Sequence, residues 1–182
     1  MPISITDTVP RVWPACLNCY NNGHLVGQWV DCTDAADVTI ESLHEGSDGP
    51  YVECEEMWCL DHENIPIKGE MSLAEAARWG EAYEEADPEQ WPAVCAWVAS
   101  GCYIAEGTGD IPSLSNFEDA YQGQWDSFRE YAEQLADDIG LTNDWPEEAQ
   151  RYFDWDAWTR DLAFDYTVMD APDGGVIIFR NF

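Results

Sequence analysis

The sequence predicts an α+β protein: an elongated protomer of three small domains, with antiparallel sheets, short helices and a helical middle block. Three observations carry that expectation. Apolar residues fill 46% of the 182 positions, with ten Trp, eight Tyr and six Phe, far more core-forming material than a disordered acidic chain contains. Strand-like and helix-like periodicities alternate without the strand–helix–strand rhythm of a parallel sheet. Finally, 37 acidic residues stand against seven basic ones, giving a net charge of -30, whereas solubility asks for only about 2 to 8 charges on a small domain. At roughly one charge per 1.7 Å of duplex axis that excess corresponds to about 50 Å of DNA. A compact globule of this length is only about 40 Å across, so an elongated body is expected.

The first domain, residues 1–66, is read as a three-stranded antiparallel sheet with one helix. Residues 11–19 and 25–31 are strand-like runs around Asn21-Asn22-Gly23-His24, a hairpin signal with an extended connection. Pro14 puts the first run at a sheet edge or a bulge. Thr33 or Asp34 caps a short helix carrying Ala36, Ile40 and Leu43 on one face and ended by Gly46, Gly49 and Pro50; a third strand follows from Tyr51 to Cys59.

The middle domain, residues 67–111, is helical. Ser72 and Glu75 form a capping box for a helix through Glu85. Asp87-Pro88-Glu89-Gln90 opens a second helix, which directs Val94, Trp97 and Val98 to a core, and residues 107–112 read as a linker. The third domain, residues 112–182, opens with a capping box at Ser115 and Glu118. Its strongest helix spans Asp126 to Gly140, with Phe128, Tyr131, Ala132, Leu135 and Ile139 as the apolar stripe. A short helix after Pro146, another from Asp154 that buries Trp155, Trp158 and Leu162, and a hairpin around residues 170–175 complete it.

The acids are clustered. Glu130, Glu133 and Asp137 share one helix face, with Asp126 and Asp138 beside them, at axial steps of about 4.5 to 6 Å. Phosphates along one DNA strand advance by about 3.4 Å, a similar scale. Glu81, Glu84, Glu85 and Asp87 gather at a helix C-terminus, the end whose dipole disfavours them. Further clusters are Glu53, Glu55 and Glu56; Glu147 and Glu148; and Asp154, Asp156 and Asp161. A single cluster reads as a solvated face. Five with almost no compensating base point to a surface that presents carboxylates as phosphates to a partner.

Other chemistry is not expected. Six Arg and one Lys are too few for a nucleic-acid-binding stripe, and no P-loop, dinucleotide or EF-hand pattern occurs. Cys16, Cys19, Cys54, Cys59 and His62 resemble two halves of a zinc site, but on one strand Cys16 and Cys19 would point to opposite faces. The thiols therefore read as buried or scattered, and no metal, cofactor or catalytic residue is assigned. No apolar run approaches the roughly 20 residues of a membrane span, and the first residues lack a secretory pattern. A cytoplasmic protein with reduced thiols is expected.

Pro10-Arg11-Val12-Trp13, Tyr20-Asn21-Asn22-Gly23 and Gly27-Gln28-Trp29-Val30-Asp31 resemble the N-terminal signature of the ArdA antirestriction proteins. Phe117-Glu118-Asp119-Ala120-Tyr121-Gln122-Gly123, the acidic helix after it and the stretch from Phe153 to Phe179 are similar to that family's later segments. The resemblance spans nearly the whole chain and departs at the cysteines. It implies a non-enzymatic homodimer of three-domain protomers that mimics bent B-form DNA. Such a protein occupies the DNA-binding groove of a type I restriction-modification enzyme, the methyltransferase core with its specificity subunit, and protects mobile elements. Two other readings compete: an acidic, salt-adapted domain without mimicry, and a metal-dependent enzyme using cysteines or paired carboxylates.

Overall fold

The computed structural model describes residues 8–47, 53–107 and 109–182. The chain forms two compact units, one made of Met1–Cys95 and Ala105–Leu114, the other of Ala96–Ile104 and Ser115–Phe182. Each contains a three-stranded antiparallel sheet accompanied by helices, so the α+β class holds.

In the first unit β1 (Arg11–Cys16) lies between β2 (Val30–Asp31) and β3 (Met57–Glu63). Arg11 pairs with Asp31 on one side and Glu63 on the other. Pro14 has no N–H to give a central strand, and the register with β3 slips between Trp13 and Pro14, the bulge that accommodates it. The strand expected through residue 19 stops at Cys16 and turns directly into α1 (Leu17–Asn21), because Asn18, Asn21 and Asn22 favour turn conformations and Gly23 supplies φ +83°. The second run shrinks to two strand residues, since Gly27 makes only an isolated bridge to Ala15. The third strand begins at Met57 rather than earlier; Gly49, Pro50 and Tyr51 lie outside the described residues.

The helix expected to carry Ala36, Ile40 and Leu43 together is two elements, a 3-10 turn (Cys32–Asp37) and α2 (Ile40–His44). Val38 is extended, and Thr39 starts the new helix with Ser42, each side chain accepting from the other's backbone N–H at 3.1 Å. Ala35 is buried in place of Ala36. α3 (Leu73–Glu85) follows Ser72, whose Oγ accepts from the Glu75 N–H at 3.1 Å. It lays Ala76, Trp79 and Gly80 against the Cys32–Asp37 turn. α4 (Trp91–Ala99) starts one turn after Asp87. Trp91 meets Tyr83 edge-on at 5.3 Å and donates its indole N–H to the Asn64 carbonyl at 3.0 Å. In the stretch read as a linker, Glu106 N–H bonds Ile111 C=O at 2.8 Å, and Ile111 and Pro112 are buried.

In the second unit β6 (Val176–Arg180) is central, between β4 (Tyr121–Trp125) and β5 (Tyr166–Asp170). The C-terminal hairpin is as expected; β4 is not. α5 (Leu114–Ala120) begins one residue before Ser115, so the anticipated capping box has no helix start to cap. The helix runs straight into β4, so Phe117 and Tyr121 stack at 5.2 Å across a helix–strand junction instead of along one helix. Trp97 completes the cluster, 5.8 Å from Phe117 and 6.4 Å from Phe179.

α6 (Phe128–Asp138) starts at Ser127, whose Oγ accepts from Glu130 N–H at 3.2 Å. It ends with Leu141 N–H on Ala136 C=O and Gly140 N–H on Asp137 C=O, the paired bonds of a glycine stop, with Gly140 at φ +64°. Tyr131, Ala132 and Ala136 are buried, whereas Ile139 is 61% exposed because it lies past the helix in the capping turn. Ser127→Ala is expected to cost about 1 kcal/mol, measured by urea unfolding. α7 (Glu147–Arg151) precedes α8 (Trp155–Leu162). Trp155, Trp158 and Leu162 are half-buried, not buried; the two indoles cluster with Phe153 at 4.9 and 6.4 Å.

Candidate functional site: an acidic surface and a thiol cluster

Every carboxylate singled out from the sequence is exposed, and no charged side chain among the described residues is buried. In the first unit Glu81, Glu84 and Glu85 are exposed on α3, and no basic residue occupies the helix's last turn. Asp87 follows and accepts from the Glu89 N–H at 3.0 Å. Glu53, Glu55 and Glu56 precede β3. Glu53 is at φ 59°, a left-handed conformation rare for a residue with a side chain.

In the second unit α6 packs on α8, which brings the 126–138 and 154–161 clusters together. Arg129 bridges them, with Nε 2.8 Å from Glu133 and Nη1 2.6 Å from Asp156. Those carboxylates, Glu133 first and then Asp156, raise the Arg129 pKa above its already high ordinary value. Arg160 pairs with Asp161 at 3.0 Å. Among the described residues a basic partner thus reaches Glu133, Asp156 and Asp161, and none of the other singled-out acids. Three others serve the local fold: Glu130 accepts from the Asp126 N–H at 3.1 Å, Asp138 from the Gln134 amide at 2.8 Å, and Asp154 caps α8 through the Ala157 N–H at 2.9 Å. Asp126, Asp137, Glu147 and Glu148 stand exposed beside them.

Two open clefts, of about 220 and 380 Å³, are bordered by Arg78, Glu81, Glu85 and Glu106 in one case and by Gln124, Asp126 and Glu130 in the other. Neither brings a Ser, Cys or His next to a base. No helix among the described residues is long and apolar enough to cross a membrane.

The thiols are not scattered. Because β1 ends at Cys16 and α1 turns the chain, Cys16 and Cys19 converge instead of pointing apart. Cys19 Sγ lies 3.7 Å from Cys54 Sγ and 3.8 Å from His44 Nε2. The donor atoms of Cys16, Cys19, His44 and Cys54 all fall within 4.8 Å of one another. Cys59 and His62 sit on β3, outside this group. Burial and the neighbouring Cys16 and Cys54 sulfurs push the Cys19 pKa up. Burial opposes the Cys16 thiolate too, but the Cys19 backbone N–H and the His44 and Cys54 side chains outweigh it and lower the Cys16 pKa. The local pattern runs the helix carrying His44 on from Thr33 or Asp34, across the break at Val38 and Thr39, and so does not bring His44 to the thiols; the signal available is a Cys-x-x-Cys at a strand end with a His and one more Cys downstream.

No curated relative matches the chain. The model of the family described as antirestriction protein (ArdA) matches residues 12–176, from β1 into β6. That span takes in the first sheet from Val12 on, β4 and β5 of the second, the acidic helices and all the carboxylate clusters, and on it the chain belongs to the ArdA antirestriction family.

Proposed function

We propose that this antirestriction protein is a non-enzymatic DNA mimic acting in the cytoplasm. Its carboxylates take the place of phosphates in the DNA-binding groove of a type I restriction-modification enzyme, formed by the methyltransferase core with its specificity subunit. The observation that carries the reading is the exposure of Glu53, Glu55, Glu56, Glu81, Glu84, Glu85, Asp87, Asp126, Asp137, Glu147 and Glu148, none of which has an ion-pair partner among the described residues, in a chain of net charge -30. An ordinary soluble domain intersperses Lys and Arg, which relieves like-charge repulsion of a few tenths of a kcal/mol per helical pair. On α3 Arg78 borders a cleft with Glu81 and Glu85; the repulsion that remains among Glu81, Glu84 and Glu85 also opposes the helix dipole. A basic groove that normally closes on DNA would offset it.

Protection of incoming mobile DNA follows from the same occupancy, since an enzyme whose groove is filled does not bind its target. A homodimer of three-domain protomers would lengthen the charged surface. Phe164 and Tyr152, 80% and 77% exposed in the second unit, are suitable apolar contacts for that assembly.

Cleavage of an unmodified plasmid by a type I enzyme tests the proposal. The wild-type chain should abolish cleavage near one dimer per enzyme. The combined variant Glu81→Gln, Glu84→Gln, Glu85→Gln should inhibit several-fold less well while unfolding at the wild-type urea concentration or above it, because α3 loses self-repulsion. Unchanged inhibition by this variant, together with a neutralised second unit (Asp126→Asn, Asp137→Asn), would refute phosphate mimicry by these clusters.

A further inference from the structure

We propose that Cys16, Cys19, His44 and Cys54 form a structural zinc site in the first unit. Tetrahedral zinc holds sulfur at about 2.3 Å and imidazole nitrogen at about 2.0–2.1 Å, which places neighbouring donors roughly 3.5–3.8 Å apart. The Cys19–Cys54 and Cys19–His44 separations, 3.7 and 3.8 Å, already have that size, and the whole group fits within 4.8 Å. An ion at its centre therefore needs only small side-chain adjustments.

The donor set selects the ion. Three thiolates and one imidazole suit zinc and exclude magnesium or calcium, which take oxygen ligands. With four protein ligands the coordination sphere is closed, so the role is to hold structure and not to activate water. A disulfide would use two of the three sulfurs and would not involve the imidazole, whereas one zinc engages all four donors. Binding displaces the thiol protons to solvent, and the Asn18 side-chain amide, 3.7 Å from Cys54 Sγ, together with the Cys19 backbone N–H toward Cys16, supplies donors to the resulting thiolates.

The local fold needs such a clamp. α1 and α2 have five residues each, far below the length at which an isolated helix persists. Among the described residues, the apolar cluster around them has Val26 and Leu43 as its buried non-cysteine members, with Val38, Ile40 and Met57 half-buried beside it. Zinc would tie the end of β1, α1, α2 and the strand approaching β3 into one body. It would also fix Cys54, which stands between Glu53 and Glu55, so the acidic run before β3 would be held in place. The site itself does not depend on the DNA-mimic reading.

The test is to purify the full chain from zinc-supplemented cells under reducing conditions, without chelator, and to measure metal after desalting. One zinc per chain is expected, retained by Cys95→Ser and Cys102→Ser and lost by Cys54→Ser and His44→Ala. Should the last two fail to fold, cobalt exchanged into the wild-type chain decides the question: intense visible bands of tetrahedral cobalt with thiolate-to-metal charge transfer are expected. A chain that retains no zinc and gives the weak spectrum of octahedral cobalt would overturn the site, as would zinc retention equal to wild type in a folded Cys19→Ser, Cys54→Ser double variant.

Discussion

Trp97→Ala is expected to destabilise the second unit by about 3–5 kcal/mol, read as a fall in its urea midpoint. Trp97 is 1% exposed and sits among Phe117, Phe179 and Tyr103, with ring centroids 5.8, 6.4 and 6.1 Å away. Removing the indole deletes the largest member of this cluster and leaves a cavity whose walls are held by other constraints. Phe179 is fixed in the central strand β6 by pairing on both sides, and Phe117 by stacking on Tyr121. The site cannot collapse around a methyl group, and the cost falls at the upper end of what core truncations show. Since total stabilities are of the same order, about 5–15 kcal/mol, the variant should be substantially unfolded at moderate temperature.

Gly80→Ala in the first unit is expected to destabilise by about 1–3 kcal/mol or more, although the same change in an exposed helix stabilises by about 1 kcal/mol through propensity alone. A Cβ at residue 80 would lie 2.5 Å from the Cys32 carbonyl carbon and oxygen and 2.6 Å from Thr33 N. These are backbone atoms of the 3-10 turn, and no side chain can swing aside to admit the methyl group. α3 would have to lift away from Cys32–Asp37, opening the packing around Trp79, which is 0% exposed. A gain in stability would mean that this contact is looser than the geometry states. Gly80→Val should be worse, because a branched side chain adds the same clash in two directions.

Local patterns carried much of the fold in the sequence. Ser72 before the periodic run of α3, Gly140 at the end of α6, and the glycine-rich turn before Val176 each identify an element by physics confined to a few neighbouring residues. What was not legible depends on distant partners. β4 exists because Tyr121–Trp125 pairs with β6, more than fifty residues away, and its local spacing from Phe117 mimics a helix. Pro14 is compatible locally with a sheet edge or a bulge, and only the pairing of β1 on both sides selects the bulge; likewise the turn after Cys16 depends on the bond from Leu17 N–H to the Glu56 carbonyl, at 3.0 Å.

The same division runs through the candidate sites. That the acids would be exposed was legible, because so many charges cannot be buried unpaired. Which of them a base would reach was not. Arg129 has Glu133 within its own helix, a local pair the spacing suggests, but its second partner, Asp156, is brought in only by the packing of α8 on α6. His44 likewise meets Cys19 and Cys54 only after Val38 and Thr39 break the helix that precedes it.

The measurement that tests DNA mimicry most directly is competition between this chain and fluorescently labelled duplex DNA for a purified type I methyltransferase core across a salt series. The expected result is full displacement of the duplex near stoichiometric protein at low salt, with affinity falling as salt rises, because exposed carboxylates meeting a basic groove are screened within about 8–10 Å at physiological ionic strength. Duplex that stays bound in the presence of a stoichiometric amount of folded protein, at every salt concentration, would contradict it.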